Sequence, residues 1–141
     1  MKLRLVQLMM IAAMAVGIGN GLAQAQGRGP QECGFYSASG GFAFRSEGTF
    51  PDGSKSVFVG TMIFDGAGKV SGINTGSISG FVFKDSFGGT YSINKDCTGT
   101  YVGVFSTGSV HWDIVVADNG KKIFGIISDQ GYVFSFEAIK Q

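Results

Sequence analysis

At 141 residues the chain has room for one domain and not two. Gly is abundant (24), Phe numbers 13, Pro only 2, and charged residues make up 15%, a composition of tight turns and aromatic strands that excludes a helical or disordered chain. The formal net charge of +1 leaves no basic excess for a nucleic-acid binder.

The N-terminus opens with Lys2 and Arg4, continues apolar from Leu5 to Gly19 with Gln7 as the interruption, and reaches Ala23-Gln24-Ala25. A basic start, an apolar run of about 7–15 residues and an A-x-A end are the parts of a secretory signal. The run is short of the roughly 20 residues that cross a bilayer. Residues 1–25 therefore read as a cleavable signal peptide, with the protein secreted or periplasmic. Cleavage after Ala25 removes Lys2 and Arg4 and leaves 9 basic against 10 acidic residues. The one adjacent basic pair is Lys121-Lys122. Neither nucleic acid nor an anionic membrane surface is an expected partner.

Residues 26–39 carry no period and read as a lead segment. Cys33 and Cys97 are the two cysteines. Export takes them to a compartment where disulfides persist, and two cysteines allow one bridge, the alternative being two buried thiols. Without clustered His or Cys they do not resemble a zinc site, and no metal or cofactor is expected.

Residues 40–141 read as the domain. From Gly40 the sequence becomes short alternating runs separated by turn residues. The predicted strands are 40–48, 56–64, 69–79, 81–94, 98–106, 109–117, 121–128 and 132–140. Residues 69–79 form a weaker, polar strand, and 81–94 alternates through Phe81, Phe83, Phe87, Tyr91 and Ile93. Asn119-Gly120 between the sixth and seventh runs is a strong hairpin signal, since both residues tolerate positive φ. Short links force antiparallel neighbours, because a parallel crossover needs a dozen residues or more. The fold class is all-β, a single eight-stranded antiparallel up-and-down barrel in which the last strand closes on the first and removes both edges. A two-sheet sandwich is the alternative. The expected core is Phe44, Met62, Phe64, Tyr91, Trp112, Ile114 and Phe134.

Three segments carry a family resemblance: Phe64-Asp65-Gly66-Ala67-Gly68-Lys69-Val70-Ser71-Gly72, Gly89-Thr90-Tyr91-Ser92-Ile93-Asn94 followed by Asp96-Cys97-Thr98-Gly99-Thr100, and Val115 to Ile123. From about Cys33 onward the chain resembles exported bacterial proteins described as allene oxide cyclase barrel-like domains, a largely uncharacterised group. The resemblance implies an eight-stranded barrel and adds weight to a Cys33–Cys97 bridge. Plant cyclases that lend the name bind an oxidised fatty acid inside their barrel; their catalytic residues do not align onto this chain.

Candidates for chemistry are few. His111, the sole histidine, shares strand parity with Asp113, a pairing that could orient a base. The opposite parity holds Val110, Trp112, Ile114 and Val116, so His111 and Asp113 are expected in solvent. Glu47 and Glu137 fall on strands that become neighbours on closure, and with Arg45 they read as a solvated cross-strand ion pair at the seam. Gly66-Ala67-Gly68 and Gly88-Gly89 lack the helix and Lys-Ser/Thr of a phosphate loop and read as turn and packing glycines. Catalytic residues are thus unassigned.

Three readings of function remain. One is a module that binds a small apolar, lipid-like molecule in the barrel mouth, with Phe44, Met62, Tyr91, Trp112 and Phe134 as lumen candidates. Another is a non-catalytic envelope or interaction scaffold with a filled barrel. The third is a cyclase or isomerase of a lipid-derived substrate, on fold analogy. An integral outer-membrane barrel fits poorly, because Ser71, Asn74, Thr75 and Ser77 spread polar groups over both faces of one strand. Oligomeric state is open.

Overall fold

A computed structural model describes residues 32–141. The signal-peptide reading of residues 1–25 and the start of the lead segment lie outside them. Eight strands follow one another: β1 Gly40–Thr49, β2 Lys55–Phe64, β3 Lys69–Ile78, β4 Phe81–Ile93, β5 Thr98–Phe105, β6 Gly108–Ala117, β7 Lys122–Ile127 and β8 Val133–Lys140. Each pairs antiparallel with the next, and β8 pairs with β1, so the sheet is a closed up-and-down barrel. Closure on β1 rules out the sandwich alternative. Every predicted strand is present, with boundaries within about two residues of the sequence reading.

The period of two decides what is inside. Even residues point inward on β1, β2, β3, β6 and β8, and odd residues on β4, β5 and β7, placing Phe42, Phe64, Ile114 and Ile123 at full burial. Met62, Tyr91, Trp112 and Phe134 of the expected core are buried as well. Phe44 differs: it is only half-buried, because it borders an internal cavity. Phe81 also departs from its strand's pattern. It sits at the rim, 73% exposed, and stacks on Phe83 at 6.4 Å.

An eight-stranded barrel has little interior width, yet this one takes many aromatic rings. Glycine makes the space. Phe44 faces Gly60, Phe87 faces Gly72, Phe83 faces Gly76, Phe134 faces Gly48 and Phe136 faces Gly125 across neighbouring strands. In each pair the ring lies where the glycine's Cβ would be. The glycine count is therefore a packing device, with each ring covering a bare stretch of backbone. Adding a methyl at Gly72 would overlap the Phe87 ring and the Thr61 carbonyl, whereas at Gly88 the nearest atom is 3.9 Å away. Gly72→Ala is expected to cost about 2 kcal/mol or more by overpacking, and Gly88→Ala less than about 1 kcal/mol. Urea unfolding of the two variants checks this, and equal costs would contradict it.

The hairpin turns are set by local chemistry. Asp52 accepts from the Ser54 N–H and hydroxyl, Asp65 from the Ala67 and Lys69 N–H groups, and Asp96 from the Thr98 N–H and hydroxyl. These bonds hold the three carboxyls below the usual Asp range. Their stabilisation is present above the ordinary carboxyl pKa and fades as pH falls through the lower folded values. Asp118, Asn119 and Gly120 all take positive φ, as the Asn-Gly step predicts, in a tight turn between β6 and β7.

One end of the barrel is closed. The lead segment makes a 3₁₀ turn, Phe35–Ala38, across the end formed by the β2–β3, β4–β5 and β6–β7 turns. Cys33 and Cys97 form a disulfide with Cα atoms 5.0 Å apart, and the Cys33 N–H donates to Lys95 O. Ala38 is fully buried, the Phe35 ring meets Tyr91 edge-on at 5.6 Å, and the Tyr91 hydroxyl donates to Phe35 O at 3.0 Å. A side chain at Gly120 would strike Ser37 O, so this turn is cut to fit the segment.

Candidate functional site

The opposite end is open. There the short β1–β2, β3–β4, β5–β6 and β7–β8 links surround a cavity of about 280 Å³ that enters the lumen. Its walls are aromatic. Phe58 meets Phe83 at 6.1 Å, Phe44 meets Phe87 at 5.9 Å, Phe50 meets Phe134 at 5.0 Å and Trp112 meets Phe136 at 5.1 Å, all edge to face. Lys84, Asp85, Ser106 and Thr107 stand at the mouth. Asp85 is held there by the Ser106 hydroxyl, which donates to it at 2.8 Å.

Four of the lumen candidates, Phe44, Met62, Trp112 and Phe134, line this cavity. Tyr91 does not. It packs under the lead segment at the closed end, and burial raises its pKa. Sequence reasoning missed Asn74 and Tyr101, which also line the cavity. Asn74 went unmarked because β3 looks polar throughout. Its parity with Val70 and Ile78, the apolar residues of that strand on the inward side, was the available signal.

The cavity is not uniformly apolar. Asn74 is 6% exposed and Trp112 8%, yet the Asn74 carbonyl oxygen and the Trp112 indole N–H have no hydrogen-bond partner in the protein. Tyr101, the register partner of Trp112, is buried, and desolvation pushes its pKa well above the usual tyrosine value. The Ser46 hydroxyl donates to Ser135 O at 2.9 Å.

His111 and Asp113 are both exposed, as expected, but they are not each other's partners. The carboxylate on His111 is Asp129: its Oδ1 lies 2.9 Å from Nδ1, and its Oδ2 accepts the His111 backbone N–H at 2.8 Å. That backbone donor, first of all, lowers the Asp129 pKa. The contact fastens the β7–β8 link to β6, and sequence parity could not find it because Asp129 lies in a loop. At the seam, Arg45 faces Glu137 in register, but its ion pair at 2.9 Å is with Glu47 of its own strand. The bridge runs within β1 rather than across strands. Both its side chains are largely exposed, so it contributes little to stability. It borders a second, open depression of about 790 Å³ on the outer wall, floored by Val115, Phe124 and Ile126.

Among the described residues, no group of three or more His, Cys, Asp or Glu is placed to hold a metal ion, and no helix is long and apolar enough to cross a membrane. No family model matches the sequence, and no curated protein matches it. Among solved structures the chain is similar to a de novo designed fluorescence-activating β-barrel, with a TM-score of 0.55 and 16% identity over 74% of this chain and 94% of the designed one. At that identity the likeness is one of fold.

Proposed function

We propose that this protein binds a small, largely apolar molecule in the open end of its barrel. The observation that carries the reading is the cavity of about 280 Å³, walled by phenylalanine and open at one end only, the other being covered by the disulfide-pinned lead segment. Burial of a ligand against such walls yields about 25 cal/mol per Å² of apolar surface, and the volume sits near the lower bound of roughly 300 Å³ for small-molecule sites. The designed barrel of similar fold is itself described as fluorescence-activating, so a function built into a barrel of this size has a precedent in that protein. The motif resemblance to exported allene oxide cyclase barrel-like domains points the same way.

The polarity of the two barrel faces supports a protein that works in water. The inside holds the aromatic residues, and the outside mixes Val57, Val59 and Ile73 with Lys69, Thr75, Lys84, Asp113 and Glu137. A transmembrane barrel has the reverse arrangement, a polar lumen and an apolar outer band. The disulfide supports a place outside the reducing cytoplasm, secreted or periplasmic.

Native mass spectrometry of protein purified from its own host, followed by organic extraction, tests the proposal. A stoichiometric co-purifying apolar molecule is the expected result, and its conversion on incubation would extend the reading to a cyclase or isomerase. A protein that carries nothing, and binds no member of a panel of small apolar compounds, is a scaffold and overturns the proposal.

A further inference from the structure

The cavity's lining is mixed in chemistry. Asn74 stands four residues before Ile78, the last residue of β3, and Trp112 four residues after Gly108, the first of β6. Tyr101 likewise stands four residues before Phe105, the last of β5. All three strand ends meet the open mouth. Four residues cover about 13 Å of strand, so each side chain stands well inside the end of its own strand. Around them the lining is chiefly aromatic. Among the rings stand an amide, a phenol and an indole N–H.

Two of these groups are polar atoms with no partner in the protein, each on a side chain more than nine-tenths buried. Such an atom has lost its water and gained nothing in return, a cost that cores otherwise avoid. The two are complementary in kind. The indole N–H can only donate, and the free amide oxygen can only accept. A molecule that satisfies both must bring an acceptor and a donor. A hydrocarbon brings neither, and an ester or ketone brings the acceptor alone.

Charge narrows the class further. The charged residues that line the cavity are Asp85, the register partner of Asn74 on the inward side of β4, and its neighbour Lys84. An anionic group carried to Asn74 would lie opposite the Asp85 carboxylate, and a buried ion without a counter-charge is far costlier than a buried neutral group. The volume, divided by the roughly 30 Å³ that a water molecule occupies in the liquid, corresponds to about ten non-hydrogen atoms.

We infer that the ligand is a non-anionic amphiphile of about ten non-hydrogen atoms, whose hydroxyl or carboxamide group accepts from Trp112 and donates to Asn74 while its apolar body fills the aromatic walls. This rests on the binding function proposed above and specifies its substrate class.

The test uses two probes of equal size, phenylpropyl alcohol and butylbenzene, which differ by a terminal hydroxyl in place of a methyl. Calorimetric titration gives a dissociation constant for each with the wild-type protein, with Asn74→Leu and with Trp112→Phe. Absolute affinities also reflect the probes' different cost of leaving water, so the readout is the ratio of the two constants. Each variant removes one polar partner while keeping an apolar side chain of similar shape. Each should shift the ratio toward the hydrocarbon by at least about fivefold, the equivalent of one buried hydrogen bond. Thermal melting controls for folding, and Asn74→Leu, which removes an unsatisfied group, should melt no lower than wild type. A smaller shift in both variants overturns the inferred polar contacts and leaves the binding reading intact. Failure of the wild-type protein to bind either probe overturns both.

Discussion

Replacing both cysteines by serine will lower the stability of this protein by about 4 kcal/mol. The bridge closes a loop with a sequence separation of 64, and the chain-entropy account gives roughly 3 kcal/mol for a 15-residue loop and 4.7 for a 100-residue one. For a domain of this size the loss corresponds to a fall in melting temperature of roughly 15–25 °C. The effect should also be local. Beyond the disulfide, the lead segment is held by the Cys33 N–H to Lys95 O bond, the Tyr91 hydroxyl to Phe35 O bond, the Phe35–Tyr91 contact and buried Ala38. Without the covalent tie these contacts must repay the ordering entropy of the segment. Hydrogen exchange should therefore show the backbone amide at position 33 losing protection in the double-serine variant before the strands do. A stability loss below about 1 kcal/mol would mean that the lead segment is held by its packing alone.

Phe64→Ala is expected to cost about 3–5 kcal/mol. Phe64 is 1% exposed and sits where three rings converge, 5.6 Å from Phe42, 4.9 Å from Tyr91 and 6.5 Å from Tyr101. Truncation removes the buried ring and leaves a cavity that the flanking strands cannot collapse into, because the closed ladder fixes their spacing. Val59 lies on the same strand with opposite parity and 59% exposed. Val59→Ala should stay within about 0.5–1 kcal/mol of wild type. Urea unfolding of the pair reads the inside and outside of the barrel directly, and similar costs for the two would contradict the assigned faces.

The barrel was legible in the sequence because each of its devices is local. Alternation in β2 and β4 exposes the inward parity, Asn119-Gly120 marks a turn, and the short links leave no topology but neighbour-to-neighbour pairing. The Cys33–Cys97 bridge followed from two cysteines in a chain that reads as exported. What escaped were features made by registers and loops. The Gly–aromatic pairs, such as Gly72 with Phe87, join residues of different strands, and nothing within either strand announces the partner. Tyr91 looked like a lumen residue from its parity, and parity is correct about inside. It does not say which end of the barrel is covered, and that depends on where the lead segment folds back. His111 was read beside Asp113 because they are neighbours on one strand face. Its carboxylate came instead from Asp129, in a link with no period to read. Asn74 was hidden by the polar character of β3, although its parity with Val70 and Ile78 marked its side as the inner one.

The most direct measurement of the account as a whole uses Trp112, the chain's single tryptophan and part of the cavity wall. Titration with butylbenzene should change its emission saturably, with a stoichiometry of one molecule per chain. The same titration of Val110→Phe, which adds a ring to the cavity lining, should give no saturable change while the protein remains folded. An emission unaltered by the probe in the wild-type protein, or a response that persists undiminished in Val110→Phe, would contradict a ligand site in the open end of the barrel.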